Sequence, residues 1–485
     1  MTTLIATGHP LQRAGAWAVA VIAERDDPGR VSVADLDTVA SVLVADVLAA
    51  ATAPKESSRY DWWKVLFALY PNSKATHSKR PSDPNMLRPD IEQFFTPDDP
   101  DDPDDPDDPG DPDAGPRRPC TFCSTRTAAV WAKSNLPLFD TSKALNTLPP
   151  GVPGWPVCRG CRIAMWALPY GAWVTAGSAT VLSCQEPDAE REFARRNVRR
   201  ARRVMHAGFS GLPAGTRPEL VVLTALRDAT DGLCATTLWS FKNDNQEPWL
   251  RVTRTRRALP LFLATVDGNA PLRRGWLLLR RALARPDAGR SGASEAARLL
   301  FEAEDGRSRP LLGQLHRLLA DPDGAWSVDD RESLVRLAFT YAEEVFGMET
   351  DLEPVATLIA DWIAQGTSPR GRLAEYRKAA LSDYELGGLL VKAYALLQLR
   401  GNKSRLVGPE SWKPLIGRRP RAWEQRMLLF AQVSVLLQQR GVAVSGKEAD
   451  PQREGEIEAL VDRSTFGADA EGECDEYDEY EMEQA

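Results

Sequence analysis

Four cysteines in two closely spaced pairs are the residues of this chain best suited to chemistry. Cys120 and Cys123 form the first pair, Cys158 and Cys161 form the second, and two residues lie between the members of each. This spacing lets both thiolates of a pair turn onto one metal ion, and two pairs complete a tetrahedral zinc site with no position open for a substrate. The sequence therefore predicts structural Zn²⁺ bound by these four residues, in a binding protein and not a catalyst.

Two other uses of paired cysteines stay open. A disulfide framework belongs to oxidising compartments, and the chain shows no secretory signal. A thioredoxin-like redox pair needs only one such pair in a βαβ setting. Thirty-four residues separate the two pairs, more than the fifteen to twenty of a compact zinc ribbon, so we expect an inserted excursion between them. Cys184, Cys234 and Cys474 lie far apart and are expected to be buried or tail thiols.

Composition indicates a soluble protein with a basic body. The chain has 485 residues, of which 43% are apolar and 26% charged. Its first apolar run, Ala14–Ala23, is too short to cross a bilayer, so we expect a cytoplasmic protein without membrane partners. Nineteen acids lie in two segments, 98–113 and 469–483, and without them the net charge changes from −8 to +11. A basic body of this kind favours a polyanionic partner.

The pattern of helix, strand and low-complexity signals predicts an α+β, mainly α, protein. We expect a zinc-stabilised N-terminal α/β region and a C-terminal helical bundle. The predicted regions are a mostly helical region at 1–97, an acidic Asp/Pro-rich disordered insert at 98–117, a zinc-binding and strand-containing region at 118–271, the helical bundle at 272–446 and an acidic disordered tail at 447–485.

Local patterns predict particular elements within these regions. A capping box at Ser32 and Asp35 precedes an apolar helical face formed by Leu36, Val39, Leu43 and Val47. The segment Asp188–His206 is predicted to be helical. β-branched and apolar runs predict strands at Ala172–Cys184, Leu220–Leu226, Cys234–Phe241 and Trp249–Thr255, the last two joined across 242–248.

The predicted helix Asp188–His206 holds seven arginines between positions 191 and 203. Arg191, Arg195, Arg199 and Arg203 recur at four-residue steps and therefore form one row. Like charges at this spacing destabilise a free helix, and a bound polyanion would remove that repulsion. Guanidinium groups match phosphate oxygens, so we predict contact with a nucleic-acid backbone. A solvated face or contact with carboxylates of a protein partner is the alternative.

The loop between the last two predicted strands is the second candidate for nucleic-acid contact. Asn243, Asn245 and Gln246 at its tip carry amides that donate to and accept from base edges. Arg251 and Arg254 on the return strand could hold a backbone nearby. Asn and Asp are also the residues that turns commonly use, so the amides alone do not decide the matter. The four histidines are scattered and indicate no catalytic cluster, so we predict that the protein is not an enzyme.

The order of these features resembles the large subunit of the type I-B CRISPR Cascade complex, in its zinc-containing Cst-type branch. The residues that carry the resemblance are Thr7–Pro10, Leu69–Ser73, Cys120–Cys123, Pro137–Phe139, Pro156–Ala164 and the turn Asn243–Gln246. They cover most of residues 1–260, while the C-terminal bundle matches only in character. The Asp-Asp-Pro insert and the acidic tail depart from the family pattern.

The resemblance implies a noncatalytic subunit of a crRNA-guided antiviral complex. Such a subunit binds crRNA and target double-stranded DNA beside other Cascade subunits, recognises the short flanking motif (PAM recognition), aids duplex opening and recruits a separate helicase-nuclease. On this view Asn72 and Lys74, together with the Asn243–Gln246 turn, contact DNA or the crRNA handle. Arg418, Arg419, Arg421 and Arg426 of the bundle are further candidates for phosphate contact. A zinc-dependent nuclease or hydrolase with an unrecognised active site, and a zinc-ribbon DNA-binding scaffold protein, are the alternative functions.

Overall fold

The computed structural model describes residues 4–96, 117–132, 154–213, 215–230, 232–243, 247–303, 310–321, 324, 326–348, 351–380, 382–401, 409–417 and 422–444. The protein is mainly helical with small antiparallel sheets, which confirms the predicted α+β, mainly α, class. The predicted acidic insert lies outside the described residues except for Arg117, and the predicted tail lies outside them entirely. No helix in the described ranges is both long and apolar enough to cross a membrane.

The chain divides into two compact units. The N-terminal unit comprises Met1–Ala214, Asp228–Thr230 and Thr236–Arg254, and the C-terminal unit comprises Gly215–Arg227, Asp231–Ala235 and Thr255–Ala485. The region predicted at 118–271 is therefore shared between both units. All of the described candidate site residues of that region lie in the N-terminal unit.

The helices of the N-terminal unit are α1 (Pro10–Ile22), α2 (Val33–Ala51), α3 (Ser58–Leu69), α4 (Pro84–Glu92), α5 (Arg159–Gly171) and α6 (Pro187–Ala207). Its strands are β1 (Arg118–Pro119), β2 (Arg126–Thr127), β3 (Val130–Trp131), β4 (Trp155–Pro156), β5 (Trp173–Val174), β6 (Ala179–Cys184), β7 (Thr236–Lys242) and β8 (Trp249–Arg254). The helices predicted in 1–97 and at Asp188–His206 are thus confirmed, as is the hairpin formed by β7 and β8.

Local sequence explains where α2 begins and how closely α1 packs against α5. The side chain of Ser32 accepts from the backbone of Asp35, whose own side chain accepts from the Ser32 backbone, so the predicted capping box starts α2. Helix α1 packs closely against α5 because Gly15 carries no side chain. A Cβ at Gly15 would lie 1.8 Å from the carbonyl oxygen of Ala164, so only glycine permits this approach.

An antiparallel sheet completes the N-terminal unit, with its strands in the order β5–β6–β7–β8. In the central ladder Val181 pairs with Trp239, and in the next ladder Trp239 pairs with Val252. Strand β6 is buried along most of its length, and Ala179 and Val181 belong to the same hydrophobic core as α1, α2 and α5.

The prediction of a strand at Leu220–Leu226 was wrong, because this segment lies within helix α7 (Pro218–Ala229). Pro218 stands at the start of the helix and Glu219 in its first turn, where both residues favour a helix start. All seven residues of the segment are buried, and a short apolar run that is buried on every side has the same pattern in a helix as in a strand.

The C-terminal unit is a helical assembly, as predicted. Besides α7 it holds α8 (Leu259–Gly268), α9 (Ala270–Leu283), α10 (Gly292–Arg298), α11 (Pro310–Ala320), α12 (Val328–Thr340), α13 (Glu353–Ala364), α14 (Pro369–Ala379), α15 (Asp383–Leu399), α16 (Pro409–Ile416), α17 (Ala422–Gln439) and the short strand β9 (Glu302–Ala303). Trp276, Trp362, Tyr341 and Tyr376 are fully buried among these helices.

Candidate metal centre and nucleic-acid interface

The four predicted metal ligands come together in the N-terminal unit. The sulfur atoms of Cys120, Cys123, Cys158 and Cys161 all lie within 4.8 Å of one another, and Sγ of Cys123 is 3.4 Å from Sγ of Cys158. A tetrahedral ion with bonds of about 2.3 Å to sulfur separates its ligand atoms by about 3.8 Å. The four thiols therefore have the arrangement of a closed site that could bind a metal ion.

The first pair lies in the tight turn between β1 and β2. Arg118 pairs with Thr127, and the Cys120 amide donates to the Thr125 carbonyl at 2.8 Å, so the hairpin closes around both cysteines. Ser124, directly after Cys123, has a φ of 66°, a conformation that non-glycine residues rarely adopt. This turn points both sulfurs of the pair inward.

The second pair lies at the start of α5. Cys158 is the residue that precedes the first turn of α5, and Cys161 lies inside that turn, so the i,i+3 spacing places both sulfurs on one side of the helix. Strands β3 and β4 pair Trp131 with Trp155 and hold the chain on either side of the predicted excursion. Residues 133–153, which make up most of that excursion, lie outside the described residues.

The crowding of four thiols splits their proton affinities. Hydrogen bonds from Cys120 and Cys158 hold the pKa of the Cys123 thiol far below its usual range. Hydrogen bonds with Cys120 and Cys123 raise the pKa of the Cys161 thiol far above its usual range. The cluster therefore loses its first proton easily and its last with difficulty, and a bound cation would allow all four thiols to ionise together.

Helix α1 supports the cysteine cluster through a residue whose role the sequence did not reveal. Gln12 is fully buried. Its Nε2 lies 3.6 Å from Sγ of Cys161 and also donates to the Ile5 carbonyl at 2.7 Å. The Thr7 amide and hydroxyl donate to Oε1 of Gln12 and fix its orientation. An amide in a helix whose only other polar side chain is Arg13 is the signal that could have indicated this role.

The same helix holds the arginine-rich helix α6 through a buried carboxylate. Glu190 is 3% exposed and accepts from Arg13, from the Trp17 indole at 2.8 Å and from the Cys184 amide at 2.9 Å. Nε of Arg13 lies 2.8 Å from both carboxylate oxygens. Residues 12 and 13 of α1 thus contact the cysteine cluster and α6 respectively.

The predicted arginine row on α6 is present, but two of its arginines form ion pairs with acidic residues of the same helix. Arg191 pairs with Asp188 at 3.0 Å, and Arg195 makes a two-pronged pair with Glu192 at 2.7 and 2.9 Å. Arg199 is exposed and forms no ion pair with any described residue. The repulsion expected along the row is therefore reduced in the first half of the helix, and Arg199 is its most available cation.

Other arginines of α6 contact the body of the unit. The Arg200 guanidinium lies 3.7 Å from the centroid of the Trp173 ring, and Arg202 pairs with Asp46 at 2.7 Å. Asp46 also accepts from the Tyr170 hydroxyl at 2.6 Å. These contacts fix the rotation of α6 about its axis, because one side is held by Trp173 and Asp46.

The ends of β7 and α3, which precede two of the segments predicted to contact nucleic acid, meet in the structure. The side-chain amide of Asn243 donates to the Leu69 carbonyl at 2.8 Å, which places the end of β7 against the start of the loop that carries Asn72 and Lys74. Lys74 forms an ion pair with Asp90, and Tyr70 donates its hydroxyl to the Met165 carbonyl. Asn243 therefore anchors the end of β7 through its amide donor, while Asn245 and Gln246 lie outside the described residues.

The two predicted arginines of β8 are exposed but do not share a face. Arg251 stands opposite Ser240 and Arg254 opposite Thr237. Side chains alternate along a strand, so two positions three residues apart point to opposite sides of the sheet. In the C-terminal unit Arg426 donates to the Leu415 carbonyl at 3.1 Å, whereas Arg418, Arg419 and Arg421 lie outside the described residues.

The remaining cysteines in the described ranges fit their predicted character. Cys184 and Cys234 are buried free thiols, and Cys474 lies outside the described residues. Comparison of the chain with family models, with curated proteins and with solved structures gave no match.

Proposed function

We propose that this chain is a noncatalytic nucleic-acid-binding subunit whose N-terminal unit is held in shape by a structural Zn²⁺. Tetrahedral four-sulfur sites bind zinc or iron–sulfur centres. A purified protein that is colourless and contains one equivalent of metal would identify the ion as zinc. The sequence resemblance supplies the finer proposal. On it, the chain is the large subunit of a crRNA-guided type I Cascade complex that recognises the target-flanking motif on DNA and recruits the helicase-nuclease.

The observation that carries the proposal is the path along α1 from the cysteine cluster to the arginine row. Gln12 contacts the sulfur of Cys161, and Arg13 contacts Glu190 at the start of α6. A metal that fixes α5 therefore also fixes the helix against which α6 is anchored. An exposed Arg199 on a helix held in this way presents a charge of fixed position to a phosphate backbone.

A salt titration tests the binding role. The purified chain is titrated with a labelled RNA hairpin and a DNA duplex between about 50 and 200 mM salt, and the slope of log K against log salt is measured. The double variant R195E/R199E should bind more weakly, and its slope should be smaller by about one for each phosphate that it no longer neutralises. Arg336, an exposed residue of α12 that pairs with Glu332, gives the control R336E, which reverses one arginine charge outside the row. Equal slopes for R195E/R199E and the wild-type chain would refute the arginine row as the interface.

A second experiment tests the finer proposal. The chain is isolated from its own cells without denaturant, and the copurifying RNA is sequenced. Guide RNAs of uniform length with a common 5′ end are the expected result. A preparation that contains no RNA and cleaves DNA by itself when a divalent metal is added would replace the proposal with the nuclease alternative. Binding to one duplex sequence without any RNA would instead support the zinc-ribbon scaffold alternative.

A further inference from the structure

Helix α3 carries a row of three parallel aromatic rings on the side opposite its buried face. The rings of Tyr60 and Trp63 are stacked with centroids 5.0 Å apart and planes 17° apart, and those of Trp63 and Phe67 with centroids 5.4 Å apart and planes 24° apart. Trp62, Val65, Leu66 and Leu69 of the same helix are buried in the core, and Trp63 packs against that core from the side. We call the three stacked residues Tyr60, Trp63 and Phe67 the α3 aromatic row.

The exposed end of the α3 aromatic row is Phe67, which is 45% exposed. Its neighbour Trp63 is held in place, since its indole nitrogen donates to the Ala75 carbonyl at 3.3 Å. A rigid ring that is stacked on one side and exposed at the end of a row offers its face to another flat ring. Nucleobases are flat rings that stack on aromatic side chains regardless of sequence.

Cations border the α3 aromatic row. The Arg80 guanidinium lies 4.3 Å from the Trp63 ring centroid, and Nζ of Lys64 lies 5.6 Å from that of Tyr60. Arg59 precedes Trp63 by four residues and so lies beside it on the helix. Arg59 and Lys79 are exposed, and neither forms an ion pair with a described residue. The row therefore combines stacking faces with unpaired positive charge.

A cleft joins the start of α3 to the end of the arginine helix α6. It has a volume of about 260 Å³, and its polar lining consists of Asp46, Ser57, Ser58, Arg59, Arg202 and His206. Asp46 is paired with Arg202 at 2.7 Å, so its carboxylate is neutralised there. Arg59 of α3 and Arg202 of α6 thus line the same cleft, through which a phosphate backbone could reach the α3 aromatic row.

We propose that the α3 aromatic row is a stacking platform for the bases of single-stranded nucleic acid. The charge of the surrounding residues favours this occupant over an apolar peptide, which would leave Arg59 and Lys79 without partners. The inference rests on the proposed function for the class of its partner, but it concerns other side chains than the arginine row. A failure of the arginine-row test leaves it standing, and its own failure leaves the arginine row standing.

The test compares F67A and F67L for binding of dT20, rU20 and an abasic 20-mer at one salt concentration. F67A should weaken binding of a base-bearing strand between about 5- and 150-fold, the loss that one base–aromatic stack brings. F67L keeps apolar bulk but has no ring and should lose nearly as much. The salt slope should not change, because no charge is removed. Stronger loss on rU20 than on dT20 identifies RNA as the preferred strand, and the reverse identifies DNA.

The controls separate stacking from other effects. Tyr384 is 88% exposed in the C-terminal unit, and Y384A should bind like the wild-type chain. The wild-type chain should bind the abasic strand weakly, and F67A should not weaken that binding further. The comparison of abasic and base-bearing strands with the wild-type chain requires no variant, so it remains valid even if F67A unfolds. Wild-type affinity of F67L would overturn the proposal in favour of an apolar contact with a protein. Equal affinity of the wild-type chain for abasic and base-bearing strands would overturn it as well.

Discussion

Replacement of Cys158 by serine tests whether the four cysteines bind a structural metal ion. Cys158 is 5% exposed, stands directly before α5 and lies with its sulfur 3.4 Å from that of Cys123. A hydroxyl at this position keeps the size of the side chain but removes one of four thiolate ligands. We expect C158S to lose its bound zinc, because a structural site of this kind depends on all four sulfurs.

The size of the effect follows from mass action. A metal that binds only the folded state, present at about one hundred times its dissociation constant, stabilises that state by about 2.7 kcal/mol. In a domain of roughly 150–250 residues, 1 kcal/mol shifts the melting temperature by about 2–4 °C. Chelation of the wild-type protein, or the C158S change, should therefore lower the melting temperature of the N-terminal unit by about 5–10 °C.

The assay is thermal unfolding with and without a zinc chelator, together with measurement of bound metal. Wild-type protein should melt lower with chelator, whereas C158S should melt low in both conditions and contain less than one equivalent of zinc. Cys184 gives the matched control, because it is a buried free thiol of the same unit outside the cluster. C184S should keep both its zinc and its response to the chelator. Full zinc content in C158S, with an unchanged melting temperature, would contradict the reasoning.

Three further predictions concern single residues. E190Q removes the charge that Arg13 faces in the core and should destabilise the N-terminal unit by about 3 kcal/mol in urea unfolding. E192Q, at a partly exposed carboxylate of α6 whose partner Arg195 is exposed, should change stability by less than about 1 kcal/mol. N243A removes the hydrogen bond to the Leu69 carbonyl and should destabilise the same unit by about 1 kcal/mol; no change would show that this hydrogen bond does not stabilise the unit. Burial lowers the pKa of His316 to about 4, below the unfolded value of about 6.5. The unfolded state therefore takes up the proton first, and the free energy of unfolding falls as the pH drops from about 6.5 to 4. H316L should flatten that dependence in pH-dependent melting, and an unchanged pH profile would assign the loss to other groups.

Sequence patterns were sufficient where the signal is local. The capping box at Ser32 and the three-residue spacing within each cysteine pair specify geometry through neighbouring residues alone. The β7–β8 hairpin was predicted in the same way, from two strand-like runs joined by a polar turn. Leu220–Leu226 was predicted wrongly because its burial on all sides removes the periodicity that separates helix from strand.

The roles of individual polar residues depended on contacts between distant parts of the chain. Gln12 reads as a polar interruption of an apolar helix until the fold brings Cys161, 149 residues away, against it. Asn243 has the composition of a turn, and only the packed loop beside Leu69 shows where its amide donates. The row of arginines on α6 was visible in the sequence, but the pairing of Arg195 with Glu192 and the exposure of Arg199 follow from side-chain placement.

The sequence by itself determined the composition of the metal site, the capped helices and the concentration of arginine on one helix, because each is set by residues a few positions apart. Tertiary structure decided that the two cysteine pairs converge, that α1 links them to α6 and that Tyr60, Trp63 and Phe67 stack in one row. Such features require particular backbone approaches, as at Gly15 and Ala164, and the free energy that fixes those approaches comes from burial across the whole core.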